Sequence, residues 1–260
     1  RQRQMCIRDR YYPFLVSFRE KLRSGGSLQY TWDVGMGNTY LSLFAYYLSS
    51  PLYLLSALVP LKFLREFYAL ATVLKLSLAG LFFTHFLRIA FRKIDWTAPF
   101  FALTYALCAW ACGYYWNIIW LDTFALLPLL IAGMVSLLRD GKFRLYTISL
   151  ALSLWCSYYI AYFCCIFVLL CFIGYCIIRP NGFGGFVRRL VRIGICTLVG
   201  IAIAAVLLVP TLLAMQGTYS STGKMPALLA LNMANGASGR VAEGQSTWNL
   251  LTSQTLPGLL

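Results

Sequence analysis

Lys75 is the residue whose position most demands a chemical explanation. It lies about ten residues into an apolar run, with no other charged residue between Glu66 and His85. An ammonium near the centre of hydrocarbon costs roughly 2.5–3.5 kcal/mol, so something must compensate it. Two partners fit: a carboxylate on another helix, or the phosphate of a lipid-linked substrate. Asp122, in YYWNIIWLDTFALLP, sits just inside one end of a second apolar run. Asn117, Trp120 and neighbouring aromatics share that lip. The acid there is either a helix cap within an aromatic belt or part of a polar site at the mouth of a membrane-facing cavity. Asp33 lies in YTWDVGMGN. Gly35 and Gly37 let backbone N–H groups approach an anion or a sugar, and Trp32 offers a stacking face. An ordinary aspartate in a glycine turn is the plainer reading.

The other acids have simpler roles. Asp95 and Asp140 stand beside Lys93 and Lys142 in charged loops, and Glu66 suits the positive end of a helix dipole. Eight of the nine cysteines fall in apolar runs, without a CxxC pair, and His85 is the only histidine. A metal centre is therefore poorly supported, and packing is the role of the thiols. No nucleophile elbow, phosphate-binding loop or dinucleotide fingerprint is present.

These residues need a scaffold, and composition says which solvent it lives in. Of 260 residues, 60% are hydrophobic and only 12% charged, against about 45–50% apolar in soluble domains. Mean hydropathy is +0.71. A chain this size cannot bury that excess in water. The net charge of +14 does not mark a nucleic-acid binder, because Lys and Arg punctuate apolar runs instead of forming one face. The expected fold is an all-α, polytopic transmembrane bundle in the cell membrane.

Apolar runs place spans at about 65–90, 97–115, 118–138, 145–157, 160–178 and 193–214. The stretch 145–178 is too long for one span and divides near 156–159. Residues 11–64 read as an extracytoplasmic loop. Within it, Phe14, Phe18 and Leu22 recur at helical spacing before Gly25 and Gly26 stop the helix. Pro51 and Pro60 cut 39–60 into pieces too short to cross about 30 Å of hydrocarbon, so these read as re-entrant or interfacial helices; one kinked span is the alternative. Residues 215–260 read as a further outer loop. The basic clusters Arg88/Arg92/Lys93, Arg139/Lys142/Arg144 and Arg179/Arg188/Arg189/Arg192 are each separated by two crossings, which puts all three in the cytoplasm. Residues 1–10, RQRQMCIRDR, read as a non-native scar, and both ends of the chain read as cut.

The run QYTWDVGMGNTYLSLFAYYLSSPLYLLSALVP resembles the first-loop signature of the YfhO family of bacterial membrane proteins, and NIIWLDTFALLPLLIAGMVSLLRDGKFRLYTISLALSLWCSYYIAYFCCIF resembles that family's next block. YYPFLVSFREKLRSGGSL fits the same loop. The resemblance covers roughly 11–215. It implies a longer protein with many more spans, related to GT-C glycosyltransferases. Such enzymes move a sugar from a polyprenyl-phosphate carrier to an acceptor on the outer face, here a cell-envelope polymer of teichoic-acid type. Membrane lipids, the lipid-linked sugar and the polymer are the implied partners, and use of a divalent metal is left open. The resemblance also implies an acidic residue a few positions before Tyr11, at about Cys6. Asp9 is not at that spacing, so the chain alone is expected to be inactive. Asp33 and Asp122 remain as candidate outer-face acids, with Lys75, Trp32, Gly35, Gly37, Asn117 and Trp120 as candidate substrate contacts. A transporter or flippase predicts discontinuous helices at mid-membrane, and a non-catalytic scaffold predicts that the outer acids can be lost without effect.

Overall fold

A computed structural model describes residues 11–27, 30–32, 38–92, 96–180 and 182–216. The chain divides into two units, Arg1–Leu212 and Leu213–Leu260. Of the second, only the end of the last helix is described. The first unit holds all the other elements.

Helix α1 (Tyr12–Ser24) begins with a proline in its first turn and ends at Gly25, whose left-handed backbone (φ 64°) returns an N–H to Lys21 O. Proline lacks the N–H that a first turn cannot use, and glycine takes positive φ without strain. A two-residue antiparallel pair, β1 (Tyr30–Thr31) and β2 (Asn38–Thr39), follows. The apolar segment after it is broken. Helices α2 (Tyr40–Leu48) and α3 (Pro51–Leu58) meet at 104°. The second half of α2 is wound as a π-helix and α3 as a 3-10 helix. Arg19 and Arg23 of α1 donate from Nε to Val59 O (2.6 Å) and Ala57 O (2.9 Å), satisfying carbonyls at the end of α3 that have no helical partner.

Helix α4 (Leu64–Phe91) buries Leu64, Tyr68, Ala71, Lys75 and Ala79, a stripe at spacings of three and four. Lys75 thus lies on the inward face of its helix. The chain returns through α5 (Ala98–Ala106) and α6 (Ala109–Tyr114), then runs down α7 (Ile118–Asp140) parallel to α4. The 97–115 run is therefore not one continuous helix. It breaks at Leu107 and Cys108, where the freed Leu107 carbonyl accepts from the Cys112 thiol at 3.3 Å. Helices α8 (Arg144–Cys156) and α9 (Tyr158–Ile178) are separated by the extended residue Ser157. Helix α10 (Gly182–Gln216) begins eleven residues before the expected 193. Its buried residues Ile193, Cys196, Gly200, Ala204, Leu207 and Thr211 form one narrow seam.

Among the described residues, four segments are long and apolar enough to cross a membrane: Leu61–Phe91, Ile118–Asp140, Tyr158–Ile178 and Gly182–Leu213; the bent α2–α3 pair passes the same test as a broken span or re-entrant loop. Of these four, α7 is the central one. Two thirds of its apolar window is buried (67%), against 17–22% in the other three. Pro128 lies inside it and cannot donate to Phe124 O. Tyr105 of α5 supplies the missing donor, its hydroxyl reaching Phe124 O at 2.8 Å, while its ring stacks between Phe83 and Phe124. In lipid a freed carbonyl must find such a partner within the protein. Further along α7, a Cβ on Gly133 would come within 2.5 Å of Tyr146 N, so only glycine permits this approach of α8.

Candidate functional site

The lysine and the aspartate that stand out separately in the sequence meet in the structure. Lys75 Nζ lies 2.7 Å from Asp122 Oδ2, and the two residues are 1% and 8% exposed. The ammonium also donates to Ile118 O at 3.2 Å and sits 4.6 Å above the centre of the Tyr53 ring. Asp122 has a second donor, the Ser50 hydroxyl, at 3.1 Å from Oδ1. Of the two partners open to Lys75, the structure supplies the carboxylate. A buried ion pair holds only when its remaining lone pairs and protons are also satisfied, and here a serine, a carbonyl and a ring face do that work.

This cluster sits at the apex of the bent pair. Ser49, beside Ser50, donates to Ala45 O (3.1 Å) and Cys156 O (2.9 Å). The turn at 49–51 is therefore pinned directly to the end of α8 and to α7, and through Asp122 to Lys75 of α4. A few residues away, the Tyr11 hydroxyl bonds Asn117 Oδ1, and the Tyr11 ring contacts those of Tyr47 and Tyr68. Asn117 is buried and tethers α1 to the start of α7. Trp120 lies on the same turn, its ring near Trp110 and Tyr114.

The remaining candidates divide. Trp32 is 76% exposed and meets Tyr30 edge-on, apart from the buried cluster. Asp33, Gly35 and Gly37 lie outside the described residues. The structure thus unites Lys75, Asp122 and Asn117 in one region and sets Trp32 apart from it. Sequence reasoning misses Ser50 and Tyr53. Their signal is present: a serine pair at a break inside an apolar segment, followed by a tyrosine on the next turn. No three His, Cys, Asp or Glu side chains among the described residues converge to hold a metal ion.

A bundle of apolar helices with a sharply bent pair pinned by a buried ion pair defines a polytopic α-helical membrane protein. More particularly, the family model described as bacterial membrane protein YfhO matches residues 9–234. The chain belongs to the YfhO family. No curated protein and no solved structure matches it.

Proposed function

We propose that the protein acts in the bacterial cell membrane as a GT-C-like glycosyltransferase, moving a sugar from a polyprenyl-phosphate carrier to a cell-envelope polymer on the outer face. Family membership supports this reading, and one observation carries it. The Lys75–Asp122–Ser50 cluster, with Ser49 on Cys156 O, fixes the apex of the bent pair against α4, α7 and α8, which gives the segment after the acidic loop one defined shape. In the reaction the acceptor hydroxyl oxygen bonds to the anomeric carbon. The carbon–oxygen bond to the carrier phosphate breaks, the phosphate leaves with the electron pair, and a carboxylate takes the hydroxyl proton.

Two acids compete for the role of base. Asp122 already holds Lys75, so it enters the chemistry only if the carrier phosphate displaces it from the ammonium. Asp33 stands in the glycine-rich sequence beside Trp32, and we assign it the base. Asp122 and Lys75 then position the bent pair. The test is transfer of radiolabelled sugar from synthetic carrier to polymer in proteoliposomes containing the whole protein. Asp33→Asn should abolish transfer with the melting temperature unchanged, while Asp122→Asn lowers both. Full transfer by Asp33→Asn would remove the assigned base. Full transfer by both variants would sink the glycosyltransferase reading at this site.

The 104° break between α2 and α3 favours a second reading, a flippase for the same lipid-linked sugar, because discontinuous helices mark transporter sites. Movement of the labelled carrier across the bilayer without any transfer would establish it.

A further inference from the structure

The opposite end of the bundle carries a second concentration of charge. There the ends of α4, α7 and α8 border an open cleft of about 820 Å³, lined among others by His85, Arg88, Arg139, Asp140, Lys142 and Arg144. Four permanent cations face one carboxylate. That carboxylate is already engaged, by Arg92 at 3.2 Å and Arg139 at 3.3 Å. Among the described residues Arg88, Lys142 and Arg144 have no carboxylate partner. A second hollow, about 390 Å³, adjoins the first through Gly141 and Phe143, which line both. Its walls are mostly apolar, with Leu137, Ile195, Cys196 and Val199 from α7 and α10, and Arg192 at its edge. Thr147 of α8 also lines it.

Ordinary loop cations in a membrane protein face water and need no concavity. These line a cavity in the size range of ligand sites. A cationic chamber opening onto an apolar hollow matches a molecule that is anionic at one end and hydrocarbon at the other.

We propose that this end of the bundle binds an anionic phospholipid, its headgroup phosphate among Arg88, Lys142 and Arg144 and one acyl chain in the hollow between α8 and α10. Left-handed Gly141 (φ 75°) is what lets the chain turn between the two chambers, and a Cβ there would approach the Arg192 guanidinium at 3.6 Å. Basic pockets between helices at the cytoplasmic side recognise lipid phosphates by this chemistry.

The experiment is native mass spectrometry of the whole chain, titrated with phosphatidylglycerol or phosphatidylcholine of identical acyl chains. The wild type should retain phosphatidylglycerol in preference. Arg88→Gln/Arg144→Gln should lower its affinity by roughly thirtyfold, from the loss of two headgroup cations. Lys62→Gln/Arg188→Gln, outside both chambers, should not. Val199→Trp fills the hollow with every charge in place and should also weaken phosphatidylglycerol binding. Equal retention of the two lipids by the wild type would overturn the proposal without any variant having to fold. So would equal protection by inorganic phosphate combined with indifference to Val199→Trp, which would reassign the cavity to a free anion.

Discussion

Helix α7 carries an aspartate near each end, and the two sit in different solvents. Asp122 is buried, holds one ammonium at 2.7 Å and takes a serine proton on its other oxygen. Asp140 has 30% of its side chain exposed and shares itself between Arg92 at 3.2 Å and Arg139 at 3.3 Å. The aspartates are eighteen positions apart, and Lys75 of α4 is seventeen positions from Arg92, the residue just past that helix, so the parallel helices bring a cation level with each acid. Nearly the same pairing is thus built twice, once in a dry interior and once at a wet end. Geometry alone would rank them as similar. Solvent ranks them far apart, because a lone charge at the dry end has no water to fall back on, while one at the wet end does.

The sharpest way to break this comparison is to delete one cation at each end. Lys75→Met leaves the Asp122 carboxylate buried and unpaired, and should destabilise the protein by about 3–5 kcal/mol. Arg92→Met should cost about 0–1 kcal/mol. Thermal melts in one lipid mixture measure both. Replacing both buried partners, as Lys75→Met with Asp122→Leu, should recover much of the loss, since what is expensive is the uncompensated charge. Equal losses for Lys75→Met and Arg92→Met would mean that water reaches the inner pair.

Much of this contrast is legible in the sequence, but in pieces. Lys75 stands out because no other charge lies between Glu66 and His85, and Asp122 because it interrupts the aromatic lip of an apolar run. The breaks in 39–60 and near Ser157 are legible too, since prolines and small polar residues punctuate those stretches. What joins Lys75 to Asp122 is the rotation of α4 about its axis, which follows from packing on α7 and not from composition. The same limit hides the break in 97–115. Neither proline nor glycine marks Leu107 and Cys108. The interruption rests on a thiol reaching back to a carbonyl and on Tyr105 serving Phe124 O across helices, contacts that exist only after folding. Asp33, Gly35 and Gly37 lie beyond the described residues, so the loop half of the candidate site rests on sequence alone.

Between the two ends, α7 depends on shape instead of charge. Gly133→Ala would drive a methyl group to 2.5 Å from Tyr146 N. Backbone cannot swing aside as a side chain does, so α7 and α8 must separate, at about 1–3 kcal/mol. A melting curve reads the loss. Cysteine cross-linking between the two helices locates it. A neutral Gly133→Ala would show that α8 slides freely along α7, and that the ion pair alone sets the position of the bent pair.

Ser50→Ala sharpens the inner end further. It removes one hydrogen bond to Asp122 and leaves the salt bridge intact, so the expected cost is about 0.5–1.5 kcal/mol. The effect should also be local. Hydrogen exchange should rise at 49–58, where the apex loses its tie to α7, and stay unchanged in α9 and α10. A uniform rise would mean that the serine supports the whole fold and not just the bend.

The smallest stability effect belongs to Asp140→Asn. Its partners face water, and the pair gains about 0–1 kcal/mol at most, screened further as salt is added. A melting temperature shifted little at low salt and not at all at high salt is the expected result. The same substitution should nonetheless strengthen retention of phosphatidylglycerol, because it removes the one carboxylate that lines the cationic cleft among the described residues and releases Arg92 and Arg139 from it. Stability and lipid affinity would then move independently at this end of α7. At the other end they cannot, since any change that frees Lys75 for an anion must first expose Asp122. A variant at Asp140 that lost stability and lipid together would erase the distinction between the two aspartates.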